Sequence, residues 1–298
     1  MYYLAYGPLY LMSLLPFWFL YLLSDFVAFL LYNIFGYRKE VVLHNLAIAF
    51  PEKTLRERKK IAKKFYINLT DTFVEIIKML SLSEKEFDKR CTIDMGTTNE
   101  LEAKGLSIQI HGGHQMNWEY INWAVGKNLT IPFIVIYQPI SSKAMNKIFY
   151  DLRSRPNTIL VATREFRTRM HQFFKSQYAL GLGADQNTSP ATGYWLYFFS
   201  KPVPFIMGPE RGALKNKTAV VFANLVKKKR GYYHFELKTI TEDAGLSKKG
   251  DLTRIYRDFL EHSISQQPDN YLWTHRRWRH EYLPEFESNW IDTRPRPA

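Results

Sequence analysis

His114 and Glu119 stand five residues apart in HGGHQMNWEY, residues 111–120, directly after the apolar run LSIQI at 106–110. An imidazole at the exit of a strand, with a carboxylate close by, suits a general base and the group that orients it. The spacing alone is weak, since 8 His and 28 Asp+Glu in 298 residues give nearly one such pair by chance. The surroundings add weight: a strand before the pair, Asn117-Trp118 just ahead of the acid, and a greasy segment far upstream. His111 opens a different chemistry, in which His111, His114 and Glu119 ligate a divalent metal in a membrane hydrolase. Its His-x-x-His spacing is not the helical i, i+4 pair, and two glycines separate the ligands, so neither a metal nor a cofactor is expected.

Other polar groups follow other short β-branched or aromatic runs. Arg164 follows NTILVA (157–162), Asp185, Gln186 and Asn187 follow YALGLGA (178–184), and Pro209 and Glu210 follow PVPFIM (202–207). Further strand patterns are TIPFIVIY (130–137), TAVVFANLV (218–226) and YYHFELKTI (232–240), with a basic turn at 227–232. Helical patterns at 141–154 and 165–176 lie between them, and 251–267 reads as a late helix. This alternation predicts an α/β fold: a central mixed, mostly parallel sheet flanked by helices. In an open parallel sheet, sites form at the carboxyl ends of the strands, and four such exits here carry polar side chains. Plainer roles exist for some of them: Arg164 as a surface residue, Asp185 as a helix cap or turn residue, Glu210 as a turn residue.

Residues 1–37 contain no Lys or Arg, and Asp25 is their one charge. The stretch 9–31 is long enough to cross a bilayer of about 30 Å, yet Pro16 and Asp25 interrupt it. It therefore reads either as one span or as a kinked or interfacial helix pair. It lacks the basic start and small-residue cleavage site of a signal peptide. Arg38 and Lys39 follow at once, which favours a cytoplasmic placement for what comes next. From Pro51 to Leu82 the pattern is helical, with Arg56, Lys59, Lys60, Lys63 and Lys64 on one side and apolar residues on the other. The expected division is a membrane-anchoring segment, 1–37, and a catalytic domain, 38–298. The formal charge of +13 favours an anionic partner, and 46% hydrophobic with 16% aromatic residues excludes disorder. No nucleic-acid-binding motif is present, so the anionic partner is expected to be lipid. Trp273 and the run His275–Arg279 form a basic aromatic cluster suited to packing or to a contact with lipid phosphate. Cys91 stands alone, so no intrachain disulfide forms.

LxxxxHxxHQMNWE, then Arg164, then ADQN, then FFSKPVPFIMGPE, then WTHRRW, in that order behind GYRKEVVLHNLAIAFPE, resemble the bacterial lipid A biosynthesis lauroyl/myristoyl acyltransferase family. That family lies in the lysophospholipid acyltransferase-like superfamily. The likeness covers nearly the whole chain, and the extra His111-Gly112-Gly113 before the box departs from it. The resemblance implies an enzyme of the bacterial inner membrane, with its catalytic domain on the cytoplasmic face. It would move a fatty acyl chain from acyl carrier protein to a hydroxyl of a lipid acceptor, a lipid A precursor or a related lipid. Carried over, His114 is the general base and Glu119 its orienter. Arg164 meets acceptor phosphate or developing negative charge, and Asn117, Asp185, Gln186 and Glu210 shape the substrate site. A third reading is a non-catalytic lipid-binding protein docked through the basic helix 52–80.

Overall fold

The computed structural model describes residues 2–155 and 157–297. The chain opens with two apolar helices, α1 (Tyr2–Leu14) and α2 (Phe17–Phe29), parted at Pro16, which lacks the N–H that a continuous helix needs. α2 runs on through a wider turn, Leu30–Ile34. The structure thus divides the greasy stretch into two helices at Pro16. Residues Phe17–Ile34 are apolar and long enough to cross a membrane by length and composition. Small side chains of the pair turn inward: Ser13, Ser24 and Ala28 are buried, while Leu4, Leu11, Trp18, Leu22, Phe26 and Phe29 stay exposed. Asp25 is neutralised by Arg230, 2.7 Å away.

α3 (Lys39–Ala49) leads to α4 (Leu55–Lys78), the helix on which α1 and α2 pack. α4 starts at a reciprocal cap between Thr54 and Glu57. It buries Ala62, Phe65, Tyr66 and Leu69, and leaves Arg56, Lys59, Lys60, Lys63 and Lys64 exposed, as the periodicity predicts.

From there strands and helices alternate: α5 (Glu84–Arg90), β1 (Cys91–Ile93), α6 (Gly96–Ala103), β2 (Ile108–Gly112), α7 (Trp118–Asn128), β3 (Phe133–Tyr137), α8 (Lys143–Ser154), β4 (Thr158–Ala162), α9 (Phe166–Arg169) and β5 (Ala179–Gly183). Then come β6 (Gly193–Phe198), β7 (Lys201–Ile206), α10 (Gly208–Asn216), β8 (Ala219–Lys229), β9 (Tyr232–Thr241) and α11 (Asp251–Gln266). Seven strands form one sheet in the order β1-β9-β8-β2-β5-β3-β4. Its neighbours are parallel except β8 and β9, which join in a hairpin at Arg230-Gly231, where Gly231 takes a φ of +75°. β2 is buried along nearly its whole length, as a strand covered on both faces must be.

Two expectations need correction. The strand at 202–207 is not in the main sheet: β7 pairs antiparallel with β6 as a separate hairpin, Phe198 opposite Lys201. Two strands separated by two residues close on each other more readily than either crosses to a distant sheet. The helix expected at 165–176 is broken into single turns, with α9 between tighter turns at Thr163–Glu165 and Met170–Lys175. Met170 is the one buried side chain in that stretch, so no apolar stripe holds a continuous helix against the sheet.

Candidate active site

β2 and β5 lie side by side and parallel, with Gly112 opposite Gly183. Two residues beyond each glycine come His114 and Asp185, so strand register alone brings an imidazole and a carboxylate together. His114 Nδ1 lies 2.5 Å from Asp185 Oδ1, and the His114 backbone N–H donates to the other carboxylate oxygen at 2.8 Å. The ring lies against Gly183, where a Cβ would come within 2.8 Å of His114 Cε1. With Nδ1–H committed to the carboxylate, Nε2 keeps its lone pair for a substrate proton.

Burial pushes the His114 pKa down, but the charge of Asp185 and its hydrogen bond outweigh this, and the net shift is upward from 6.5. Asp185 is held below the ordinary aspartate value: burial raises it, and the charge and hydrogen bonds of His114 more than reverse that. A base must be neutral to act, so activity should rise with pH through an acid limb lying above 6.5. In Asp185→Asn the raising interactions are gone and burial remains, so the limb should move to lower pH. A pH profile of kcat/KM for both proteins checks this, and a limb that does not move would remove Asp185 from the role of partner.

Glu119, expected beside His114, does not touch it: the carboxylate against the imidazole is that of Asp185. Asn117 precedes α7 in the left-handed region, φ 65°, and Glu119 in the first turn of α7 faces α8. There the buried Glu119 carboxylate accepts from Arg153 Nε at 2.9 Å and from Arg153 Nη2 at 2.5 Å, a forked pair. Trp118 donates its indole N–H to the same carboxylate at 3.2 Å, and its ring stands 6.0 Å from that of His114.

Arg153 is the residue at this cavity that sequence reasoning missed. A signal existed: α8 buries Ile148 and Leu152, and Arg153 stands four residues after the partly buried Phe149, a cation on the apolar stripe. Arg164, expected to face the substrate, is exposed and 3.6 Å from Glu165, outside the lining of the cavity described next. A single-turn helix of low burial gives it nothing to be held against.

The remaining candidates divide. Asn117 is buried, and its side chain donates to Glu75 of α4, so it anchors the His114–Glu119 loop from behind. Glu210 is buried but takes the Gly250 and Thr253 backbone N–H groups, closing the start of α11; it does not reach the site. Gln186 is half-buried beside Asp185. His111 is a core histidine, its Nε2 3.0 Å from the Gln109 side chain, its ring stacked on Phe222, its pKa pushed down to about 4 by burial. Among the described residues no three His, Cys, Asp or Glu side chains converge as metal ligands would.

His114, Glu119 and Arg153 meet at a cavity of about 310 Å³ between α7 and the strands β2, β3 and β5. Ile121, Val125, Phe133 and Val135 line it further in. Val125 is two turns along α7 from Trp118, so the cavity runs roughly 10 Å under the helix. A base with a free nitrogen, a guanidinium held by a buried carboxylate, and an apolar slot beside them can bind a greasy chain by one end and deprotonate a hydroxyl there.

Residues 1–280 match a family model described as bacterial lipid A biosynthesis acyltransferase. Two curated relatives are similar at 21% identity over 245 residues, 81% of this chain and 79% of each relative: the lipid A biosynthesis palmitoleoyltransferase of Escherichia coli (strain K12) and the lipid A biosynthesis acyltransferase of Shigella flexneri.

Proposed function

This chain belongs to the bacterial lipid A biosynthesis acyltransferase family, and on that premise we propose that it moves a fatty acyl chain from the thioester of acyl carrier protein to a hydroxyl of a lipid A precursor or related lipid. The observation that carries this is the His114–Asp185 pair opening into an apolar cavity whose mouth also holds Arg153. His114 Nε2 takes the proton of the acceptor hydroxyl as its oxygen bonds to the thioester carbonyl carbon. Arg153, steadied by Glu119, meets the charge that builds on the carbonyl oxygen. The tetrahedral intermediate collapses by breaking the C–S bond, and the imidazolium returns its proton to the departing thiolate. No covalent enzyme intermediate is needed. Asp185 keeps the imidazole in the tautomer this requires and stabilises it when charged.

Residues 1–37 serve as the anchor and 38–298 as the acyltransferase domain, placed on the cytoplasmic face of the inner membrane by Arg38 and Lys39 beside the apolar segment. The reaction thereby sits where a soluble acyl carrier protein and a membrane acceptor meet. The cavity walls set the chain: Val125→Phe should shift preference to a shorter acyl group, since the extra ring fills space under α7. The test is purified protein with acyl carrier protein thioesters of graded chain length and a phosphorylated hydroxyl lipid, read as free thiol released and lipid mass gained. Thiol release without a heavier lipid would make the protein a thioesterase. An unchanged chain preference in Val125→Phe would place the acyl chain elsewhere.

A further inference from the structure

The basic aromatic cluster near the C-terminus splits in two. Trp273, Arg277 and Trp278 are buried and structural. The Trp273 indole donates to Pro268 O, the Trp278 indole to Phe198 O, and Arg277 donates to Pro204 O and Asn187 Oδ1 while lying over the Phe205 ring. Arg276 and Arg279 are left outside and exposed, and among the described residues neither has a carboxylate partner. An open groove of about 490 Å³ lies between them and α3, walled by Glu40, Val41 and His44. A second recess, lined by residues 187–190, meets the first at Arg279.

Two features give this groove a role. The first is depth relative to the membrane. α3 begins at Lys39, five residues after the apolar segment ends at Ile34, so with residues 1–37 as the proposed anchor the groove falls at the level of lipid headgroups. Arg38 is fastened to the cluster through Thr274 O at 3.0 Å, and Asn45 of α3 donates to both Trp273 O and His275 O at 2.8 Å. The second is rigid attachment to the catalytic pair. Leu272 N donates to His114 O at 3.1 Å. Asn187, two residues past Asp185, donates its backbone N–H to His275 Nε2 at 3.2 Å and its amide to Arg276 O at 2.5 Å. His275 can accept because it is neutral, its pKa pushed down to about 4 by burial and by the charge of Arg277. The turn bearing Arg276 and Arg279 is thus bolted to both strand exits that form the site.

We propose that this groove binds a phosphate monoester of the acceptor lipid, through Arg276 and Arg279, and so fixes which hydroxyl reaches His114. Planar guanidiniums pair with phosphate oxygens in forked geometry, and two unpaired ones at headgroup depth favour a lipid phosphate over an acidic protein surface. Glu40 is the one carboxylate on the wall, against Arg276, Arg279 and the ring of His44. This deepens the reading of His114 as the base and rests on it.

The experiment uses the full chain and the Arg276→Gln/Arg279→Gln variant, with a hydroxyl-bearing phosphomonoester lipid in neutral micelles and the same lipid after phosphatase treatment. KM for the phosphorylated lipid should rise about tenfold or more in the variant, the cost of losing charge-assisted hydrogen bonds. KM for the acyl carrier protein thioester should stay within about twofold. Dephosphorylation should erase the difference between the two proteins. Binding of the phosphorylated lipid without thioester should weaken by the same factor, a readout that holds even if acyl transfer is not the reaction. A rise confined to the thioester KM would make the groove a docking face for acyl carrier protein and overturn the proposal. So would weaker binding to phosphatidylglycerol vesicles with lipid selectivity unchanged, or no change at all.

Discussion

His114→Ala should lower kcat by about 1,000-fold or more, and Asp185→Asn should cost nearly as much, with the double variant no slower than His114→Ala alone. Such saturation is expected because the two side chains act as one device, held at 2.5 Å by parallel strands. Asp185→Asn keeps the shape of the partner and lets the imidazole settle in the wrong tautomer. The His114 side chain is about one-quarter exposed, so its loss should leave the fold intact, which a thermal melt checks. Rates and melts of the three variants decide the matter: additive losses would mean that the residues work separately, and full activity in Asp185→Asn would return the orienting role to another group. Glu119→Gln, by comparison, should leave the pH profile in place, since its carboxylate does not touch the imidazole.

Arg153→Ala should have two separable effects. Catalysis should fall about 100-fold or more, the usual consequence of removing one group that stabilises an oxyanion. Stability should fall by about 3 kcal/mol, because the buried Glu119 carboxylate would lose its cation and keep only the Trp118 hydrogen bond; the partial exposure of Arg153 takes the figure to the low end of the range. Adding Glu119→Gln should restore most of the stability and none of the rate. Denaturant melts with initial rates on the two single variants and the double variant resolve the effects. Recovery of rate in the double variant would mean that Arg153 serves packing alone and that the carbonyl oxygen is met by another donor.

Local pattern carried much of this protein. The apolar start, the amphipathic α4, the alternation of strands and helices and the strand before His114 are each short-range signals, set by side-chain period and by turn residues, and each is legible in one dimension. The same holds for the ordered motifs that carry the family resemblance. Where sequence reasoning failed, the missing quantity was a partner far along the chain. Glu119 is near His114 in sequence, yet one left-handed residue at Asn117 and the first turn of α7 point it at Arg153, 34 residues on. Asp185 lies 71 residues from His114, and only the pairing of β2 with β5 makes them neighbours. Arg164 and Glu210 looked like site residues because they follow strand-like runs. One proved to stand on a poorly buried turn and the other to follow a strand outside the main sheet.

What residue order determined by itself was most of the elements, the apolar start and the strand that ends before His114, because these depend on neighbours within a few positions. What only the tertiary structure decided was who pairs with whom: His114 with Asp185, Glu119 with Arg153, and which arginines of the C-terminal cluster stay free. Strand register and burial make those choices, and both are properties of the assembled sheet, since a carboxylate is committed to the nearest cation or ring nitrogen that the packing leaves within reach.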